Sequence, residues 1–351
     1  MKRFAFAIPG DLARLTGGYG YDRRVIAECR DAGIVVEHLA LPGDFPAPAP
    51  DSLAASAAMF ANVPPEVPIL VDGLAFGALP DGLIAHAGRR FAALVHHPLA
   101  LETGLSTADV ARFATSERRA LTRAQWVVAT SATTARSLVA DYGVDPARLS
   151  VAEPGIDPVP REAGSTGEPQ ILAVGSILPR KAYPVLIEAL ALIADLPWSC
   201  RIVGAPDADA AETERVRGRI AAHGLGGRID LAGAFGGERL EAAFAGADVF
   251  AHPAYHEGYG MALAEALAHG LPIVASDAGA IPETVPGDAG LLVPAGDANA
   301  FAGALRRLVG DPIRRRAMAD AAWAAGRKLP RWSATAATIV AALQLAERSQ
   351  S

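Results

Sequence analysis

The chain has 351 residues, enough for two domains of ordinary size that each bury a core. Apolar residues make up 51% and aromatics 6%, and 32 Lys/Arg against 38 Asp/Glu leave a net charge of −6. Residues 1 to 160 carry 14 basic against 17 acidic side chains, so no half is basic and the composition argues against a nucleic-acid partner.

The first strand is read at residues 3 to 8: MKRFAFAIPGD has too short an apolar run before Pro9 for the core of a signal peptide. A Gly-rich loop, PGDLARLTGGYGYD, a helix from about Tyr21 to Ala32 closed by Gly33 and a strand from Ile34 to Leu39 complete a βαβ unit. Gly17, Gly18 and Gly20 do not satisfy the dinucleotide fingerprint, whose third glycine would fall at Arg23; on the residues alone they make a flexible turn. The Pro-rich run LPGDFPAPAP continues neither regular structure, and a helix over Asp51 to Ala61 and a strand over Ile69 to Asp72 follow it. Asp72 and Gly73 read as a structural turn.

A helix is expected near Asp81 to Gly88 and a strand at Phe91 to Val95, running into HHPLALETG. Pro98 keeps His97 extended, so His96 and His97 point opposite ways, with no further His or Cys nearby at metal-ligand spacing. Thr107 to Arg123 forms a helix bearing Arg112, Arg118, Arg119 and Arg123: a solvated face, with contact to an anionic acceptor or a membrane surface as the alternative. The strand Trp126 to Ala129 and a helix capped by Thr130-Ser131 close this half, and the polar stretch 158–169 is the linker.

The second half opens with the strand Gln170 to Val174 and the stretch GSILPRKAYPVLIEALAL, followed by strands at Trp198 to Val203 and Arg228 to Leu231. Asp207 and Asp209 stand just before a helix, where Asp also serves as a cap. The centre of the chain is YHEGYGMALAEAL, between the strands Asp248 to His252 and Pro272 to Ala275. This strand, loop, helix, strand unit puts its Gly-rich loop at a strand's carboxyl end, where open α/β sheets bind ligands and a helix start favours phosphate. Glu257 and Glu265 lie roughly 12 Å apart if helical, a separation suited to two hydroxyl-rich groups flanking a phosphate. Singly, they read as a first-turn acid and a surface charge. Cys29 and Cys200 read as buried reduced thiols, and no apolar run approaches the length of a membrane-spanning helix.

HEGYGMALAEALAHGLPIVASDAGAIPETV resembles the donor-site signature of retaining glycosyltransferases of family 4, with Glu257, Glu265, Gly270, Pro272, Ser276, Gly279, Pro282 and Glu283 matching in order. The resemblance implies an α/β protein of GT-B fold, with two Rossmann-like doubly wound parallel-sheet domains facing an interdomain cleft. They are expected over 1–160 (acceptor side) and 170–330 (nucleotide-sugar donor side), with a linker at 161–169 and a C-terminal helix over 331–351 packing back across the domains. It covers most of 170–311 and only patches of the first half, such as the Pro154-Gly155 turn.

It further implies a metal-independent retaining transfer of a sugar from a nucleotide diphosphate sugar to a hydroxyl acceptor: a glycan, a lipid-linked glycan or a small molecule. Glu257 would hold sugar hydroxyls, Glu265 the ribose, Arg180 and Lys181 the leaving diphosphate, and His96, ahead of His97, the sugar. Gly258, Tyr259, Gly260 and Met261 would line the donor, with Gly17 and Gly18 facing its diphosphate. No cofactor beyond the donor substrate is implied, and Asp207-Ala-Asp209 is read as a cap rather than the metal motif of the other large glycosyltransferase architecture. A cytoplasmic location follows, with peripheral contact at the inner membrane face left open, as is the oligomeric state. Ser176 and Ala182 depart from the pattern, which commonly has Arg and Gly or Asn there. They keep a non-catalytic nucleotide-sugar binding protein open, beside a GT-B nucleotide-sugar epimerase.

Overall fold

The computed structural model describes residues 1–84, 90–102, 104–161 and 167–348. In chain order the elements are β1 (Arg3–Pro9), α1 (Gly17–Asp31), β2 (Val35–Leu41), α2 (Pro50–Asn62), β3 (Ile69–Asp72), α3 (Gly73–Phe76), α4 (Asp81–Ile84), β4 (Phe91–Val95), α5 (Thr107–Arg123), β5 (Trp126–Ala129), α6 (Ala132–Tyr142) and β6 (Leu149–Val151). Then come β7 (Gln170–Val174), α7 (Tyr183–Ala191), β8 (Ser199–Val203), α8 (Ala210–Ala222), β9 (Ile229–Gly233), α9 (Glu238–Ala245), β10 (Val249–His252), α10 (Met261–Ala268), β11 (Ile273–Asp277), α11 (Ile281–Thr284), β12 (Gly290–Pro294), α12 (Ala298–Val309), α13 (Pro312–Gly326) and α14 (Trp332–Arg348).

Two units separate. One comprises 1–14, 18–155 and 330–351; the other comprises 156–329 together with Leu15–Gly17. In the first, six parallel strands run in the order β2-β1-β3-β4-β5-β6. Its central strands are apolar end to end because helices cover both faces: Phe4, Phe6, Ile8, Leu70 and Leu94 are fully buried. The last helix belongs to this unit. Thr335 Oγ1 donates to the Glu153 carbonyl at 2.6 Å, and the Trp332 ring meets Tyr21 edge-on at 5.6 Å.

The second unit has the order β12-β11-β10-β7-β8-β9, again all parallel. The order in which successive strands are added therefore reverses between β7 and β10. Such a switch point is where doubly wound sheets take their ligands. In the first unit the corresponding switch lies between β1 and β3. The paired doubly wound sheets give the chain the GT-B fold.

The glycine run after β1 differs from expectation. Helix α1 begins at Gly17, not at about Tyr21, so Gly17, Gly18 and Gly20 form its first turns rather than a loop. Glycine costs a helix about 1 kcal/mol each, but Tyr21, Val25, Ile26 and Cys29 bury one face of α1 and outweigh that. Of the helix expected near Asp81 to Gly88, Asp81–Ile84 is observed, and 85–89 lie outside the described residues. So do residues 162–166 of the expected linker and Thr103 of the stretch after β4. Both cysteines are buried and free, and Asp209 caps α8 by accepting from Glu212 N at 2.9 Å.

Candidate donor site and histidine cluster

The loops on either side of the second unit's switch point bring Arg180, Lys181 and Glu257 together. After β7 a short helical turn over Pro179–Lys181 presents the two cations, and after β10 the loop to α10 presents the carboxylate. Lys181 Nζ donates to Glu257 Oε1 at 2.5 Å, His252 Nε2 lies 2.9 Å from the same oxygen, and Arg180 Nη1 is 3.4 Å away. All three contacts fall on Oε1. Arg180 also donates to the His256 carbonyl at 2.9 Å, and its own carbonyl accepts from Tyr255 N, so the two loops are laced together. Burial alone would raise the Glu257 pKa, but Lys181, His252 and Arg180 hold it well below the usual carboxylate range. The same burial lowers the pKa of His252, against the pull of Glu257.

Two glycines make this loop possible. Gly260 begins α10 at φ 92°, and Gly279 lies at φ 57° with its backbone against Glu257; a Cβ at Gly279 would stand 2.4 Å from the Glu257 carbonyl oxygen. That carbonyl accepts from Ala280 N at 2.9 Å, which fixes the carboxylate from behind. Gly258, Tyr259 and Gly260 are buried, and Met261 opens α10. The Tyr259 carbonyl accepts from Thr284 Oγ1 at 2.7 Å, tying the loop to the turn that carries Pro282 and Glu283. Ala182, directly after Lys181, has φ 52°, the sole non-glycine with positive φ among the described residues. An L-residue in that region costs about 1–2 kcal/mol, and the position suits the Gly or Asn that Ala182 replaces.

Glu265 sits on α10, half-buried. Burial, with Glu241 and then Asp157 adding like charge, pushes its carboxyl up to about 8. Ser276, at the end of β11, is buried, and its Oγ finds no hydrogen-bond partner among the described residues.

The first unit carries a cluster at its own switch point. His96 leaves β4, and its Nε2 lies 3.2 Å from Asp72 Oδ2 at the end of β3 and 3.5 Å from Asp22 Oδ1 on α1. Gly18 lies beside the same ring: a Cβ there would sit 3.6 Å from His96 Cδ2, an ordinary contact. His97 turns away to Glu102 at 3.1 Å. Asp22, Asp72 and His96 are the group of metal-ligand type side chains that converges among the described residues, within 4.8 Å of one another. Opposite charges within the cluster balance in part.

Two family profiles divide the chain between them: Glycosyltransferase Family 4 matches residues 21–159, and Glycosyl transferases group 1 matches residues 159–324. The chain belongs to glycosyltransferase family 4. A D-inositol 3-phosphate glycosyltransferase of Nocardia farcinica is 33% identical over 219 residues, 58% of this chain and 49% of the relative. An MMP alpha-(1->4)-mannosyltransferase of Mycolicibacterium hassiacum is 28% identical over 281 residues, 75% and 67% of the two chains. The chain spans about half the length of the first of these curated relatives. Among solved structures, sucrose-phosphate synthase of Thermosynechococcus elongatus superposes with a TM-score of 0.82 at 23% identity, covering 97% of this chain and 98% of that one. HepE of Anabaena in complex with UDP and glucose gives 0.75 at 17%, covering 97% and 99%. At these identities the likeness shows the shared GT-B fold.

Within this family 4 chain, the structure joins Glu257, Arg180 and Lys181 in one constellation, with Gly258 to Met261 and Glu265 on the same loop and helix. His96 and Gly18 lie together in the first unit, and Gly17 opens α1 among the residues grouped with the second unit. Three partners were missed in the sequence. His252 read as the last residue of a strand, although its five-residue spacing to Glu257 on a buried strand end was a usable signal. Asp72 read only as a turn; its Oδ1 does cap α3, accepting from Leu74 N at 2.8 Å, while Oδ2 faces His96. Asp22 lay in a helix with nothing in its neighbours to mark it.

Proposed function

We propose that this family 4 chain is a retaining, metal-independent glycosyltransferase that takes a nucleotide diphosphate sugar and transfers the sugar to a hydroxyl of a glycan, lipid-linked glycan or small-molecule acceptor. UDP is the first nucleotide to test, because a structural neighbour was solved with UDP and glucose. The observation that carries the reading is the meeting of Arg180, Lys181 and Glu257 at the second unit's switch point, beside the start of α10.

In this reading the cations of Arg180 and Lys181 take up charge as the diphosphate departs, electrostatic stabilisation that needs no metal. The start of α10 adds backbone N–H groups from the Gly258 to Met261 stretch. Glu257 Oε2, which takes none of the three observed contacts, accepts from sugar hydroxyls while Oε1 stays tied to Lys181. Glu265 accepts from the ribose, and a site built to receive those hydroxyls rejects analogues that lack them. His96 and Gly18 of the first unit, and Gly17, are assigned to the sugar and diphosphate on family likeness, as is front-face substitution assisted by the leaving phosphate. No helix among the described residues is long and apolar enough to cross a membrane, and peripheral membrane contact remains part of the proposal.

The test is a transfer assay with UDP-, GDP- and ADP-sugars against an acceptor panel in the presence of EDTA, with the anomer of the product read by NMR. EDTA-insensitive transfer with retained configuration supports the reading. Donor epimerisation without acceptor, or binding without turnover, would replace it with an epimerase or a binding protein.

A further inference from the structure

His96 is surrounded by more negative charge than its assigned role requires. Asp22 is fully buried, and neither carboxylate oxygen finds a hydrogen-bond partner among the described residues. Burial pushes the Asp22 carboxyl up to about 7 against the pull of His96, with Asp72 adding like charge. At 3.5 Å and 3.2 Å the approaches of Asp22 and Asp72 to Nε2 are charge contacts rather than formed hydrogen bonds. At pH 8, above the Asp22 value, a neutral imidazole would leave two buried carboxylates facing each other uncompensated, a severe penalty in a low dielectric. A charged ring answers both with one N–H.

We infer that Asp22 is a positioning residue: its buried carboxylate, with that of Asp72, holds His96 as an imidazolium with Nε2 turned inward, so that the ring meets its substrate in one orientation and one charge state. The inference rests on the reading of His96 as a residue of sugar transfer.

The surroundings fit. On α1, the Tyr21 ring meets the imidazole edge-on at 5.2 Å. The Tyr19 phenol on the same helix donates to the Pro9 carbonyl at 2.7 Å and has its pKa raised by burial, then by Asp72, Asp22 and Asp11, with Arg14 opposing, so it brings no negative charge near neutral pH. From the end of β5, Thr130 Oγ1 donates to the His96 carbonyl at 3.1 Å, fixing the backbone. Burial lowers the His96 pKa, and the two carboxylates more than reverse that.

The experiment reads His96 directly. Long-range ¹H–¹⁵N spectra of the whole labelled protein, assigned by loss of one signal in His96→Gln, should show both ring nitrogens protonated at pH 8. In Asp22→Asn the midpoint should fall from about 10 to about 7.5 or below. Transfer by Asp22→Asn should then be at least tenfold below wild type at pH 8.5 and recover toward it at pH 6, a pH split that a merely structural defect would not produce. A neutral His96 at pH 8 in the unmodified protein overturns the inference whether or not the variant folds. So does a ring signal that shifts on adding Zn²⁺, which would give the cluster to a cation. Full transfer by His96→Ala would overturn instead the underlying reading of His96, and with it the role of Asp22 in transfer, while the spectra still report the charge state.

Discussion

Replacing Glu257 by Ala would do more than remove a sugar contact. The side chains of Lys181 and Glu257 are 15% and 9% exposed, so the variant leaves two cations and a buried imidazole facing the space of a lost anion. Breaking a buried pair by deleting one partner costs about 3–5 kcal/mol. The loop is partly open to solvent and Arg180 keeps its bond to the His256 carbonyl, so the lower end, about 3 kcal/mol, is the better figure. At about 2–4 °C per kcal/mol for a unit of this size, the melting transition of the second unit should fall by about 6–12 °C. Lys181→Met alone should cost a similar amount. The double variant Glu257→Ala/Lys181→Met should be about 1–3 kcal/mol more stable than the sum of the two, because it removes the stranded charge. Urea denaturation of the four proteins closes the cycle. Strict additivity, or a Glu257→Ala transition within 2 °C of wild type, would refute the buried, coupled carboxylate.

Three further outcomes follow from the same geometry. Glu265, pushed up to about 8, takes a proton on folding that the unfolded chain does not hold above about 4.5, so its contribution to stability is lost as pH rises between those values; Glu265→Gln should raise the melting temperature at pH 8.5 more than at pH 5.5, and weaken nucleotide binding at both. Glu257 has the opposite sign: its pKa is depressed, so its stabilisation is complete above about 4.5 and is lost as pH falls below that, and Glu257→Gln should flatten this acid limb of a melting-temperature profile. Gly279→Ala forces a Cβ to within 2.4 Å of the Glu257 carbonyl oxygen at a positive φ. The displaced carboxylate should lower kcat/KM by about 100-fold, a misplacement effect, and an unchanged rate would refute the role of that backbone contact.

What the sequence reveals here depends on distance along the chain. Glu257, Glu265 and the glycines between them occupy one strand-loop-helix unit, so local spacing alone suggests a ligand loop. Arg180 and Lys181 are adjacent but far from Glu257 in the chain; only the strand order, with β7 beside β10, brings them to it, and the family resemblance stood in for that information. Asp22, Asp72 and His96 come from within α1 and from the carboxyl ends of β3 and β4, and neither periodicity nor motif spacing reports that convergence. The glycines at the start of α1 show the converse failure: composition favours a loop, but burial of Tyr21, Val25, Ile26 and Cys29 decides for a helix. Ala182 was visible as a departure, and its left-handed backbone supplies the reason Gly or Asn would be the ordinary choice there.

The central claim is that the second unit's switch point is a metal-independent nucleotide diphosphate site built on Arg180 and Lys181. Isothermal titration of UDP into the wild-type protein and Lys181→Met, with EDTA throughout, tests it most directly. Saturable binding that EDTA leaves intact and that weakens by at least tenfold in Lys181→Met is the expected result. Binding of equal strength to both proteins, or binding that appears only when a divalent metal is restored, would contradict it.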